Sequence, residues 1–135
     1  MFLEPDQPRI YKKVWGSEVW LVNNELYCAK RLYLKPGRSS SLHRHQIKDE
    51  TFIVESGRCS MAVCGVAYVL MTGSRLRIRP GQVHRFWVDK SSLEPCVILE
   101  ISTHHDEKDV ERFEPSFVIE DRVVTDPEIC MRGAE

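Results

Sequence analysis

Leu42-His43-Arg44-His45-Gln46-Ile47-Lys48-Asp49-Glu50-Thr51-Phe52-Ile53-Val54 is the stretch that decides how this chain folds. As a strand, residues 42–46 put His43 and His45 on one face and Arg44 on the other, because side chains alternate along extended backbone. Glu50 stands five residues beyond His45, and Ile47-Lys48-Asp49 supplies a turn. A second strand then runs back beside the first and carries its carboxylate to both imidazoles. Phe52 and Val54 share the face of Glu50 and suit an interior, while Thr51, Ile53 and Glu55 share the other.

The same alternation continues outward in both directions, in short runs separated by turn residues. Strands are expected at Val14 to Val22, Leu26 to Lys35, Leu42 to Gln46, Thr51 to Glu55, Cys59 to Cys64, Val66 to Met71, Arg75 to Arg79, Val83 to Val88 and Cys96 to Ser102. Asn23-Asn24, Pro36-Gly37, Ser56-Gly57, Thr72-Gly73 and Pro80-Gly81 tolerate the tight or left-handed backbone of a reversal. Helical periodicity is nearly absent, and no repeat at a fixed spacing interrupts the pattern. An all-β barrel or sandwich follows, with a core over about residues 14–102. Beyond Ser102 a charged connection, His104 to Asp109, leads to an extension whose Phe113, Phe117, Val118 and Ile119 are expected to pack along the barrel or on a partner subunit.

The chain of 135 residues fits one domain. Its 19 basic and 20 acidic residues leave a formal charge of −1, which gives no footprint for nucleic acid or an anionic membrane. The N-terminal residues lack the pattern of a signal peptide, and no run approaches the roughly 20 apolar residues needed to span a bilayer. A cytoplasmic protein is expected. The five cysteines, Cys28, Cys59, Cys64, Cys96 and Cys130, are odd in number and widely spread, which suits reduced structural thiols.

His84 follows the Pro80-Gly81 turn by three residues and begins a run in which His84, Phe86 and Val88 share an inward face. With His43, His45 and Glu50 it makes a set of three imidazoles and a carboxylate. Such a set suits one divalent transition ion (Zn, Mn, Fe, Ni or Co) with positions left for water or substrate. Taken alone, a His-x-His pair is more often simple polarity than a metal site.

Gly37-(five residues)-His43-Arg44-His45-(four residues)-Glu50-(six residues)-Gly57 resembles the first sequence motif of the cupins, and Gly73 through Pro80-Gly81-Gln82-Val83-His84 resembles the second. The resemblance implies a cupin jelly-roll barrel with the four residues as metal ligands, and pairing of two chains through their sheets. Lys13-Val14-Trp15-Gly16-Ser17-Glu18, Tyr27-Cys28-Ala29-Lys30, Lys48-Asp49-Glu50-Thr51, Glu100-Ile101-Ser102-Thr103 and Asp109 to Glu114 are similar to the small cupins related to mannose-6-phosphate isomerase and other sugar isomerases.

That narrower resemblance implies a metal-dependent sugar or sugar-phosphate isomerase. An aldose–ketose interconversion needs a base beside the metal, and the alternating face Leu26, Cys28, Lys30, Leu32, Leu34 is apolar except for Lys30. Lys30 is therefore the candidate catalytic group, as base or as phosphate ligand. Against it stands an ordinary lysine whose head reaches the rim to pair with an acid. Glu100, His104 and His105 are weaker candidates, and the His-His pair is expected to be exposed. Arg75, Arg77 and Arg79 read as a solvated stripe, Arg85 should point away from the cavity, and Trp15, Trp20 and Trp87 read as packing. An Fe- or Mn-dependent dioxygenase or oxidase, and a non-catalytic carbohydrate or metabolite-binding module, remain alternatives for the same ligand set. In Pro95 to Ser102 both faces are substantially apolar, which suits a homodimer interface.

Overall fold

Strands joined by tight turns account for nearly all of the structure, a computed structural model that describes residues 7–119. In chain order they are β1 (Arg9–Lys13), β2 (Gly16–Asn23), β3 (Cys28–Leu34), β4 (Arg38–Ser39), β5 (Leu42–His45), β6 (Glu50–Ser56), β7 (Arg58–Val63), β8 (Val66–Met71), β9 (Arg75–Ile78), β10 (His84–Val88), β11 (Cys96–Ser102), β12 (Val110–Glu114) and β13 (Phe117–Val118). One turn of 3-10 helix, Glu107–Asp109, precedes β12. Cys130 lies outside the described residues. Among those residues, no helix is long and apolar enough to cross a membrane.

Two antiparallel sheets result. One runs β1-β2-β3-β11-β6-β9; the other runs β12-β5-β10-β4-β13, with β7 also paired to β10 and β8 to β7. The inward faces of both supply one core: Leu32, Leu34, Phe52, Val54, Ile78, Cys96 and Ile98 from the first sheet meet Cys59, Met61, Val63, Leu70, Phe86 and Val88 from the second. Each large side chain buried there stabilises the fold by about 1.5–3 kcal/mol, which is why the sheets stay face to face as a jelly roll.

The departures from expectation have local causes. The strand expected from Val14 to Val22 begins only at Gly16: Val14-Trp15 is the turn of a hairpin between β1 and β2, and Gly16, at φ 148°, passes so close to the backbone of Tyr33 that a Cβ has no room. Leu26 does not belong to the inward face of β3. The side-chain oxygen of Asn24 accepts the N–H groups of Leu26 and Tyr27, which holds both in a turn and leaves Leu26 exposed. Cys64 and Gly65 both have positive φ, as a two-residue hairpin between β7 and β8 requires, so β7 ends at Val63.

The described part of the extension, residues 103–119, packs on the barrel. β12 pairs with β5 and β13 with β4, and Phe117 and Ile119 cover Trp87 and Ala62 on the outside of the second sheet. Arg85 points away from the core, yet it is buried: its guanidinium donates to the carbonyls of Ser40 and Pro115 and to Glu114, and lies 5.0 Å from the centre of the Phe117 ring.

Candidate metal centre

Antiparallel pairing sets the site. His84 on β10 lies opposite His43 on β5, and β6 brings Glu50 in from the other sheet, where it pairs with Ile78 and Ser102. The three imidazoles converge: one ligating atom from each of His43, His45 and His84 lies within 4.8 Å of the others. Glu50 joins them, with Oε1 at 2.9 Å from His84 Nε2 and Oε2 at 3.7 Å from His45 Nε2. All four residues singled out in the sequence thus meet in one place.

Their hydrogen bonds decide which nitrogens face inward. Nδ1 of His43 is 2.9 Å from the Ser41 carbonyl, and Nδ1 of His84 is 2.9 Å from the Gln82 carbonyl. A carbonyl only accepts, so each Nδ1 carries the proton and each Nε2 turns a lone pair toward the cluster. Burial, together with the neighbouring imidazoles, pushes His43 well below its ordinary range; burial above all lowers His45 to about 4. Both are neutral at pH 7, the form that binds metal.

Both oxygens of Glu50, Nε2 of His84 and Nδ1 of His45 are buried without a well-formed hydrogen bond among the described residues. With the His84 proton on Nδ1, its Nε2 and Oε1 of Glu50 face each other at 2.9 Å as two acceptors, and neither satisfies the other. Buried polar atoms are costly unless satisfied, and such a set around one point fits a divalent ion bound by the three histidines.

Lys48 is the functional residue that sequence reasoning missed. Assigned to a turn, its ammonium is in fact buried between Glu50 (3.1 Å), Glu100 (2.7 Å) and Nδ1 of His105 (3.0 Å). Burial alone would discharge it, but Glu100 and Glu50 outweigh that and raise its pKa. The signal was present: Lys48 is two residues before Glu50, a same-face spacing if the backbone is extended. Asp109 holds this loop, its carboxylate accepting the N–H groups of Gln46, Ile47 and Lys48.

His105 also corrects the sequence reading, since it is buried rather than exposed; His104 is exposed as expected. The Nε2 of His105 meets Glu107 at 2.8 Å, so it bridges Lys48 and a carboxylate at the rim. Asn23 brackets its backbone, donating to the His105 carbonyl and accepting its N–H.

Lys30 lines the same cavity and is buried there. Its ammonium lies 4.2 Å over the Trp20 ring and 3.8 Å from Glu18, so Trp20 does more than pack. Burial lowers Lys30, and it raises Glu100, which stands opposite Lys30 in the β3–β11 ladder. The arginine stripe is solvated as expected, with Arg77 paired to Asp49. The cavity measures about 120 Å³ and is bounded by Trp15, Leu32, Phe52 and Phe86 on its apolar side.

Comparison with known proteins identifies the fold. The chain is 27% identical over 71 residues to a mannose-1-phosphate guanylyltransferase of Sinorhizobium fredii (strain NBRC 101917 / NGR234), covering 53% of this chain but only 14% of that protein. Among solved structures it is similar to the capsular polysaccharide assembling protein CapF of Staphylococcus aureus, with TM-score 0.70, 18% identity, and coverage of 80% of this chain and 34% of that one. Oxalate decarboxylase of Bacillus subtilis gives TM-score 0.67 and 16% identity over 78% of this chain and 30% of that one. Streptomyces PAC13 gives 0.69 and 12% over 84% and 93%. At these identities the structures share the fold. The sequence profile of the cupin domain matches residues 30–102, more than half of the chain, and the protein belongs to the cupin family.

Proposed function

We propose that this chain is a divalent-metal-dependent isomerase acting on a sugar or sugar phosphate, with His43, His45, Glu50 and His84 as ligands. The observation that carries the reading is the placement of Lys30 and Glu100, opposite one another on β3 and β11, in the cavity that His43, His45 and Glu50 also line. A bound divalent ion would supply Lewis-acid polarisation of a carbonyl and its neighbouring hydroxyl.

The protein supplies the proton movement. Isomerisation moves one proton from the hydroxyl-bearing carbon to the former carbonyl carbon and another from that hydroxyl to the former carbonyl oxygen. The proton that Glu100 takes from carbon passes back to Lys30 after turnover, so both groups return to their starting states. Burial lowers Lys30 and raises Glu100, so the free energies of a proton on either group approach each other. Glu100 accepts and Lys30 donates without either facing bulk water, while Lys48 keeps its charge and fixes the Glu100 carboxylate. The relatives named for mannose-1-phosphate and for capsular polysaccharide assembly support a carbohydrate ligand.

The test follows aldose phosphates by NMR in D2O with Mn- or Zn-loaded protein. Deuterium should enter at the carbon next to the carbonyl, and Lys30→Met should lower kcat about 10²–10⁴-fold with metal content unchanged. No exchange in wild type, or full activity in the variant, contradicts the assignment.

The outer face of β11 supports a homodimer. Val97, Leu99 and Ile101 point outward there, beside Tyr33 on β3 and Ile53 on β6. Sedimentation equilibrium should give a dimer that Leu99→Asp dissociates; a monomeric wild type contradicts it. The free thiols of Cys28, Cys59, Cys64 and Cys96 fit a reducing compartment, the cytoplasm.

A further inference from the structure

The walls of the metal cavity are already neutral before any ion enters. Lys13 and Lys30 share one oxygen of Glu18, at 3.9 and 3.8 Å; Lys48 lies between Glu50 and Glu100; Arg112 meets Glu107 at 3.6 Å. These are four cations and four carboxylates, all lining the same cavity. Moving a proton between Lys30 and Glu100 leaves that count unchanged. A divalent ion therefore adds two positive charges with no protein group left to offset them.

The excess has a location. Glu18 divides one negative charge between two ammonium groups, neither within hydrogen-bond distance, and its oxygen also accepts the indole N–H of Trp20 at 2.8 Å. Glu107 is engaged by the ring of His105 at 2.8 Å as well as by Arg112. Lys13 and Arg112 are thus incompletely matched, and they are the partly exposed pair, with 32% and 51% of their side-chain surfaces accessible. Lys13, Glu107 and Arg112 all line this cavity. Deeper charges are enclosed, where water and salt offset them less.

We propose that the cavity selects an anionic ligand, a carboxylate or phosphate on a hydroxylated carbon skeleton, whose hydroxyl end faces the histidine cluster and whose anion is held at the rim by Lys13 and Arg112. This rests on the metal reading above and narrows it, because a neutral sugar leaves the excess charge in place. An anion at the rim removes it and gains charge-assisted hydrogen bonds from both side chains.

The experiment is calorimetric titration of metal-loaded protein with D-glucose 6-phosphate, D-glucuronate and D-glucose at fixed ionic strength, after metal uptake has been measured. At least one of the two anions should bind about tenfold more tightly than glucose. The Lys13→Gln, Arg112→Gln double variant should lose that preference while its metal content and glucose affinity stay unchanged. Preference for the phosphate or for the uronate identifies the source of the anion, and either result supports the proposal. Equal affinities for all three overturn it, as does an anion preference that survives the double variant, which would put the anion on the ion itself. No metal uptake by wild type overturns the metal reading and the inference with it; uptake without anion preference overturns only the inference.

Discussion

Replacing both His45 and His84 by alanine should take the metal content of purified protein from about one ion per chain to almost none. His84 is fully buried and His45 nearly so, and the variant leaves only His43 and Glu50, too few donors to compete with water for a transition ion. Inductively coupled plasma mass spectrometry of protein purified without chelator reads the result directly. Thermal melts give a second reading: excess metal at about 100 times its Kd should stabilise wild type by about 2.7 kcal/mol and leave the variant unmoved. Wild type that stays empty after incubation with Mn, Fe, Co, Ni and Zn ends the metal reading.

A change of comparable size should follow Lys48→Met. The ammonium is enclosed between two buried carboxylates, and removing one partner of a buried ion pair typically costs about 3–5 kcal/mol because the remaining charge is left unmatched. Urea denaturation of the metal-free protein measures the loss. Its pH dependence has a definite sign. Against the opposing effect of burial, the Lys48 ammonium at 3.1 Å acts to hold Glu50 below the ordinary carboxylate range. A depressed carboxylate pKa stabilises the fold above the unfolded value of about 4.5 and loses that contribution as pH falls through the folded value. The difference between wild type and Lys48→Met is therefore expected to be largest at neutral pH and to shrink in acid, where the variant can protonate its two carboxylates. A difference that stays constant from pH 7 to pH 3.5 would show that the lysine acts through packing. Added metal should recover part of the loss at Glu50 and none at Glu100, which touches no histidine of the cluster.

The histidine cluster was legible because period-two alternation fixes which side chains share a face, and His43 and His45 need only that strand. Glu50 arrives by another route than the expected reversal: β6 does not pair with β5 but belongs to the opposite sheet, and its carboxylate reaches the histidines across the interior. The same rule located the inward Lys30 and the outward Arg85. What escaped was the polar shell around them. Lys48 was read as turn chemistry because charged residues between two strands usually face water, and here Glu100 and Glu50 offset its burial. His105 follows an exposed histidine in an acidic segment, so nothing local marks it as enclosed; its burial depends on Trp20, 5.1 Å away between ring centres, and on Asn23. Glu100 was visible in principle, since it alternates with Cys96 and Ile98 on the inner side of β11. The strand β1 was not anticipated, and the turn before β2 was read as strand because Val14 and Trp15 extend its apolar run.

The strand that carries His43 and His45 has β10 on one side and β12 on the other. Both arrive later in the chain, and the Asp109 carboxylate that fixes the loop after His45 lies 62 residues beyond Ile47. Contacts of such long range form slowly, because chain entropy must be lost before they reward it. During synthesis the two histidines are exposed well before His84 and the strands that flank them, as an incomplete set with little selectivity among metals. An ion bound here would thus be chosen at the end of folding, when the closing strands impose the full donor set, and a competing metal met earlier would have the interval from residue 45 to residue 109 in which to load the incomplete site.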